Sequence, residues 1–438
     1  MNCEILRTLY IKANGEIVCN DDMGEQVSLA FPAYDRPRTG IVRALRNEKF
    51  AHIRTAFANG RVPWPGICEH CALLRHHEPA DTDLLSDKVI EKLQVEASLA
   101  CALRCPSCAN GMQLKARKGP VHLPPEWFRK ALAELAEEGF HVSWIEFCGQ
   151  GEPLNHPEFA ALVDIAREIL PAARIRLVTN GNHRFLSKVG SAFIDETIVS
   201  IDGARQQSYA QYRVNGQFDK ALRFLEASVD TQIPRGGRVI WKYILFACND
   251  SDEELRAAQD LAAEIGVSRL WFVHGHGPMV SQRFTFQNAA AVPATHPFVK
   301  VESHPSYNSR SISLNEVGAM QKLDGLSADV WLDRIVLHGN GTVTLAGWAN
   351  SSDVAFDRLL VSWDDSGPRE IALQIARPDV VAAHAAYTRE TCGFDVLLPA
   401  PGLFDAAPEA TLEFRMIAGG TTTARFACTL ARPGQQPA

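Results

Sequence analysis

The stretch "EASLACALRCPSCANG" (residues 96–111) places Cys101, Cys105 and Cys108 within eight positions and offers no fourth cysteine at short spacing. Three soft thiolates on one loop suit an iron–sulfur cube whose fourth iron has no protein ligand. An open coordination position of this kind separates a catalytic metal site from a closed structural one. A zinc loop that borrows a distant fourth ligand is the competing reading of the same spacing.

Working outward, residues 88–275 alternate between strand and helix patterns. Apolar, β-branched runs occur at "IEKLQVEA" (90–97), "HVSWIEFC" (141–148), "RIRLVT" (174–179), "ETIVSI" (196–201), "RVIWKYILF" (238–246) and "SRLWFVH" (268–274). Amphipathic helical patterns separate them. "PEWFRKALAELAEEG" (125–139) is opened by proline and closed by glycine, "HPEFAALVDIAREIL" covers 156–170, and "DEELRAAQDLAAEIG" (252–266) has acids in its first turn. Six such alternations predict an α/β fold with a parallel sheet wrapped by helices, a barrel or an open part-barrel. Active sites in such sheets lie at the carboxyl ends of the strands. Each motif with chemical potential here directly follows a predicted strand.

The second predicted strand runs into "GQGEPLNHPEF" (149–159), the third ends in "LVTNGN" (177–182), and the fourth leads into "VSIDGARQQSYAQYRVNG" (199–216). Taken singly, each is also a plain strand–helix turn. Taken in order after a C-x3-C-x2-C loop, they resemble the radical S-adenosylmethionine (radical SAM) superfamily. That resemblance implies a partial (β/α)6 barrel and a 4Fe–4S cluster on Cys101, Cys105 and Cys108. It also implies S-adenosylmethionine (SAM) chelated at the open iron and cleaved by one electron to a 5′-deoxyadenosyl radical. By the same resemblance Gly149 and Gly151 let the backbone approach the cofactor, Glu152 accepts from its ammonium group, and Asn180 follows the third strand beside it. Ser200 and Asp202 would contact its polar groups, and Arg213 would pair with its carboxylate. Many family members carry an aromatic residue just before the third cysteine; here it is Ser107. An electron donor such as flavodoxin or ferredoxin and a small-molecule substrate are the partners implied.

Ahead of the core, "CEILRTLYIKANGEIVCNDDMG" (3–24) sets a cysteine on each side of a hairpin pattern around Asn14-Gly15. A helical stretch at 39–60 and "GICEHC" (66–71) follow. Residues 1–87 resemble the half-domain that holds an auxiliary 4Fe–4S cluster in the SPASM and twitch branch, where it usually follows the barrel. Cys3, Cys19, Cys68 and Cys71 would be the ligands. Zinc on Cys68 and Cys71, with His76, His77 or the two earlier cysteines, is the alternative. Cys148, Cys248, Cys392 and Cys428 read as buried free thiols.

Beyond residue 275 the rhythm breaks, and 276–327 reads as a linker or cap. His274 and His276 stand at the end of the sixth predicted strand and read as ordinary loop histidines, with a position facing substrate as the alternative. Residues 328–430 carry short alternating runs parted by turn residues, an all-β sandwich signature. Gly347-Trp348, "ARPDV" (376–380) and Gly393-Phe394 resemble accessory β-domains of bacterial glycan-biosynthesis enzymes, which leaves sugar binding, partner binding and mere covering open. Residues 431–438 read as a tail.

The 438-residue length calls for more than one core, and a net charge of -7 gives no basic footprint for nucleic acid. No apolar run approaches the ~20 residues of a membrane span. The start "MNCEILRTLYIKANGE" lacks the pattern of a secretory signal, so a cytoplasmic protein with reduced thiols is expected. The function expected is hydrogen abstraction from a carbohydrate or related polar metabolite. Peptide modification and a non-catalytic zinc assembly protein are the alternatives.

Overall fold

The computed structural model describes the chain apart from residues 1, 21–25, 31–39, 66, 69–70, 72–73, 76–81, 117–118, 275–278, 285–290, 302–309, 313–318, 339–341, 354, 357, 364–366, 374, 385, 388, 400–408 and 432–438. His76, His77 and His276 lie outside the described residues. Two compact units result, Met1–Ser303 and His304–Ala438.

The first unit is built on six neighbouring parallel strands: Val89–Val95, His141–Phe147, Arg174–Thr179, Glu196–Ser200, Arg238–Leu245 and Arg269–His274. All five pairings between them are parallel, and the strands lie in chain order. Their buried residues, among them Leu93, Ile145, Ile175 and Leu270, form one core with the helices that cross between strands. Helix Pro125–Glu137 starts on its proline and turns Trp127, Phe128, Ala131, Leu132 and Leu135 inward. Helix Asp252–Ile265 is capped by Ser251, whose side chain accepts from the Glu254 amide, and it ends at Gly266 in the left-handed region.

The sheet is wider than the six predicted strands, and its ten-strand order is open. The boundary expected at residue 88 does not separate two compact units, because strand Thr8–Ile11 pairs in parallel with Val89–Val95, in register Thr8↔Lys92. Ile17–Val18 and Ser28–Ala30 extend that side antiparallel. On the far side Val299–Val301 pairs in parallel with Arg269–His274. The segment 276–327 is therefore divided. Val299–Val301 joins the first unit, while Arg310–Ile312 and Gln321–Gly325 join sheets of the second. A strand of three residues carries too short a period to stand out in the sequence.

The second unit holds two five-stranded antiparallel sheets around a core that includes Val330, Leu345, Leu359, Trp363, Phe394, Phe414 and Phe426. Among the described residues no helix is long and apolar enough to cross a membrane. None of the eleven cysteines forms a disulfide. Cys392 and Cys428 are buried as expected, whereas Cys148 and Cys248 are only half-buried.

Phe147 ties the sheet to its helices, with its ring centroid 6.0 Å from Phe128 and 5.1 Å from Phe159. It has no exposed surface. Phe147→Ala is expected to destabilise the first unit by about 3–5 kcal/mol. In a denaturant titration the midpoint of that unit's transition should fall with its slope unchanged. A loss below about 1 kcal/mol would mean that the three rings do not pack as one element.

Candidate active site

The cysteine loop leaves the first core strand and is shaped by its own backbone. The Cys108 amide donates to the Cys105 carbonyl (3.1 Å), and the Asn110 side chain closes the loop by donating to the Leu99 carbonyl (2.7 Å). Arg104 donates from its backbone to Val214 (3.0 Å) and from its guanidinium to the Cys101 carbonyl (2.8 Å). The three thiols thus meet residues from three other strand ends. Asn180 Nδ2 lies 3.8 Å from Cys101 Sγ, Arg213 Nη1 lies 3.9 Å from Cys105 Sγ, and Cys108 Sγ lies 4.0 Å from the Gln150 carbonyl.

The glycines of the second loop have a structural reason distinct from cofactor approach. A Cβ on Gly151 would stand 2.0 Å from the Ser98 carbonyl oxygen, and one on Gly149 would stand 2.7 Å from Glu96 Cγ. The loop is pressed onto the strand exit that carries the cysteines, and the Glu152 amide donates to the Ala100 carbonyl (2.9 Å) to hold it there. Glu152 itself is buried and accepts from Thr179 Oγ1 (2.6 Å), the Asn180 amide (2.8 Å) and the Leu154 amide (3.1 Å). Burial pushes its carboxyl up, and these donors work in the other direction.

Asp202 is fully buried, and its two oxygens accept from Arg213 Nε (2.5 Å) and the Ile244 amide (2.7 Å). It therefore acts on the site through Arg213. Despite burial, the Arg213 guanidinium is held above its ordinary range by Asp202 and the Cys105 sulfur. Ser200 ends the fourth strand, buried, opposite Lys242. Asn180 is linked onward, since its Oδ1 accepts from the Asn182 amide (2.8 Å) and Asn182 Nδ2 reaches the Tyr209 hydroxyl (2.7 Å). The cofactor-side residues named from the sequence gather at the carboxyl ends of the second, third and fourth core strands, Ser200 as the last residue of the fourth and Arg213 just after the helix Gln206–Tyr212 that follows it. His274 ends the sixth strand in a buried position.

The second cysteine group also converges. Cys3, Cys19, Cys68 and Cys71 line one pocket with Ile5, Asn20, Phe57, Pro63, Trp64 and Leu74. The pairing of Cys3 with Leu74 draws the first residues onto the segment after Cys71. Asn20 Nδ2 donates towards Cys19 Sγ (3.4 Å) and Cys71 Sγ (3.9 Å), and the Val27 amide donates to Cys19 Sγ (3.2 Å). Burial lifts the Cys3 thiol to about 12 and the Cys19 and Cys101 thiols to about 11. In such surroundings the neutral thiol is favoured, and a thiolate forms only when a cation takes the proton's place. Among the described residues, no set of three or more His, Cys, Asp or Glu side chains is gathered closely enough for a single ion.

Sequence reasoning missed Glu96, although it opens the decisive stretch. It is buried at the end of the first core strand. Its carboxylate accepts from the Gln150 amide (2.9 Å), the Ala13 amide (3.2 Å) and the Tyr10 hydroxyl (3.3 Å). The strand before it already carries Glu91, Lys92 and Gln94, so an acid just past its end gave no signal in the sequence. Thr179 and Tyr209 were missed as well, since neither is distinguished from an ordinary strand or helix residue by its neighbours.

This geometry agrees with the family comparison: residues 95–262 match the radical SAM superfamily, and the chain carries a radical SAM domain there. The chain is similar to the PqqA peptide cyclase of Streptomyces rochei, 28% identical over 182 residues, which is 40% of this chain and 46% of that protein. The match thus spans less than half of that relative's length. Among solved structures, the chain is similar to Streptococcus suis SuiB bound to S-adenosylmethionine, with TM-score 0.35, 13% identity, and 46% and 42% of the two chains covered. A radical SAM methyltransferase from Sphaerobacter thermophilus has TM-score 0.34 and 20% identity over 49% of this chain and 67% of that one.

Glu96→Gln tests the missed carboxylate. Its amide NH2 would face an N–H donor at Ala13 or Gln150, so one acceptor is lost and two donors oppose each other. The substitution is expected to cost about 1–3 kcal/mol of stability. It should also weaken SAM binding in a calorimetric titration of the reconstituted protein, with cluster iron unchanged. Unaltered melting and affinity would remove Glu96 from the site's support.

Proposed function

We propose that this chain is a radical SAM enzyme that abstracts hydrogen from a small polar substrate of the carbohydrate type. The observation that supports the reading most is that three thiols from one loop meet Asn180, Arg213 and Gln150 from three neighbouring strand ends. Cys101, Cys105 and Cys108 would hold the cluster, which when bound would supply one electron for cleavage of SAM to methionine and a 5′-deoxyadenosyl radical able to take a hydrogen atom from substrate.

The chain's residues bind, orient and tune. Asp202 fixes the Arg213 guanidinium so that one nitrogen lies against Cys105, and the fork leaves further N–H groups for a carboxylate. Asn180 directs an amide N–H at Cys101, and hydrogen bonds to cluster sulfurs raise the reduction potential. A carboxylate offers about four lone-pair positions. Glu152 uses three for protein donors, which leaves one for the ammonium group of SAM. Cys3, Cys19, Cys68 and Cys71 are the proposed ligands of an auxiliary 4Fe–4S cluster, closed by four thiolates and suited to electron transfer. Flavodoxin or ferredoxin in the cytoplasm is the proposed electron source.

A second reading, peptide modification, is favoured by the similarity to the PqqA peptide cyclase. The two differ in where the abstracted atom comes from. Deuterium from a labelled carbohydrate substrate should appear in 5′-deoxyadenosine, whereas transfer only from a labelled peptide would establish the second reading.

Replacing Cys101, Cys105 and Cys108 together by Ala is expected to abolish 5′-deoxyadenosine formation while the other cluster's iron remains. A triple variant that still cleaves SAM would sink the assignment. For the N-terminal set, the reconstituted wild type should carry roughly eight irons per chain and the quadruple Ala variant about half that. That variant should retain SAM cleavage with a strong chemical reductant. Full iron in it, or zinc in the wild type, would overturn the auxiliary cluster.

A further inference from the structure

The second unit carries a cleft that the radical chemistry does not use. Trp331 and Trp348 are directly opposed on antiparallel strands Ala328–His338 and Thr342–Ser351, so both indoles stand on one face of their sheet. Their fates differ. Trp348 is 8% exposed and lies in a small buried group with Val380, Tyr387 and Cys392. The helix Pro378–Ala383 contributes Val380 to that group, and His384 and Tyr387 follow it with ring centroids 5.6 and 6.2 Å from Trp348. Trp331 is 54% exposed.

Both indoles, with His384, Lys322 and Asp329, line an open cleft of about 440 Å3, which is within the size range of small-molecule sites. Its polar groups are positioned by the protein. The Asp329 carboxylate accepts from the Tyr387 hydroxyl, and the Lys322 ammonium donates to the Leu326 carbonyl. Each retains further capacity, since a carboxylate has several lone pairs and an ammonium three N–H groups.

We propose that this cleft binds the ring of a neutral pyranose sugar. A flat exposed indole offers an apolar plane for the C–H face of such a ring, and Trp348 and His384 supply its flank. One anion and one cation on the rim oppose any ligand with net charge, yet together provide an acceptor and a donor for ring hydroxyls. The Lys322 ammonium in the lining argues against an aromatic cage for a quaternary ammonium. The proposal concerns the second unit alone and does not depend on the substrate of the core.

The test uses the full chain and the methyl pyranosides of glucose, galactose, mannose and N-acetylglucosamine. Tryptophan fluorescence should change saturably with at least one of them, at millimolar dissociation constants. Trp331→Ala, at an exposed position where folding is not at stake, should weaken that binding at least about tenfold. Trp331→Phe, which keeps a ring plane, should recover part of it. An unchanged near-ultraviolet circular dichroism spectrum would show that the variants retain their fold. No saturable change with any of the four sugars up to about 50 mM, more than tenfold above millimolar binding, would overturn the proposal. Equal affinity in Trp331→Ala, or binding of choline instead, would do the same.

Discussion

One buried carboxylate holds together the parts on which the rest of this site depends. Glu96 stands where the first core strand ends. It accepts from the backbone of the N-terminal segment at Ala13, from the Tyr10 hydroxyl on the added parallel strand, and from the backbone of the glycine-rich loop at Gln150. Removing a charge of this kind from water is costly, and three donors are what make the position tolerable. The Gly149 and Gly151 positions follow from it, because the loop can reach Glu96 and Ser98 only where no Cβ intervenes. The segment bearing Cys3 and Cys19 and the loop bearing Glu152 are thereby set from one point.

The Asp202–Arg213 pair repeats this logic on the other side of the cysteines. A fully buried aspartate holds one edge of a guanidinium, so the free edge has little rotational choice and lies at Cys105. The fourth-strand loop is supported in turn by Glu254, whose buried carboxylate accepts from the Ala204 amide (2.6 Å) and from Ser208 Oγ. Site residues thus sit one hydrogen bond away from a second layer of acids, none of which faces outward. Preorganisation of this sort reduces the reorganisation a charged cofactor would otherwise demand.

Much of this was legible in the sequence. The six core strands are long enough for their periodicity to show, and Arg174–Thr179 matches its apolar run residue for residue. Cys101, Cys105 and Cys108 stand out by spacing, whereas grouping Cys3 and Cys19 with Cys68 and Cys71 rested on the family resemblance. What escaped was whatever depends on long-range geometry. Nothing in "TLYI" says that Thr8–Ile11 pairs with a strand some eighty residues later. Nothing local distinguishes Glu96 from a solvated acid at a strand end. That the oxygens of Asp202 accept from Arg213 and Ile244 was not legible either. The direction a side chain takes after a turn is set by packing from elements outside the motif.

The open sheet has a further consequence. A ten-strand sheet that does not close leaves two rims, and a rim of unpaired backbone groups is a template on which another chain can add a strand. Among the described residues the outermost strands are Ser28–Ala30 on one side and Val299–Val301 on the other, each three residues long. The long, apolar parallel strands lie in the interior, paired on both sides. Within this sheet the backbone groups of the long strands are thus satisfied by neighbours, and only short strands stand at its margins among the described residues.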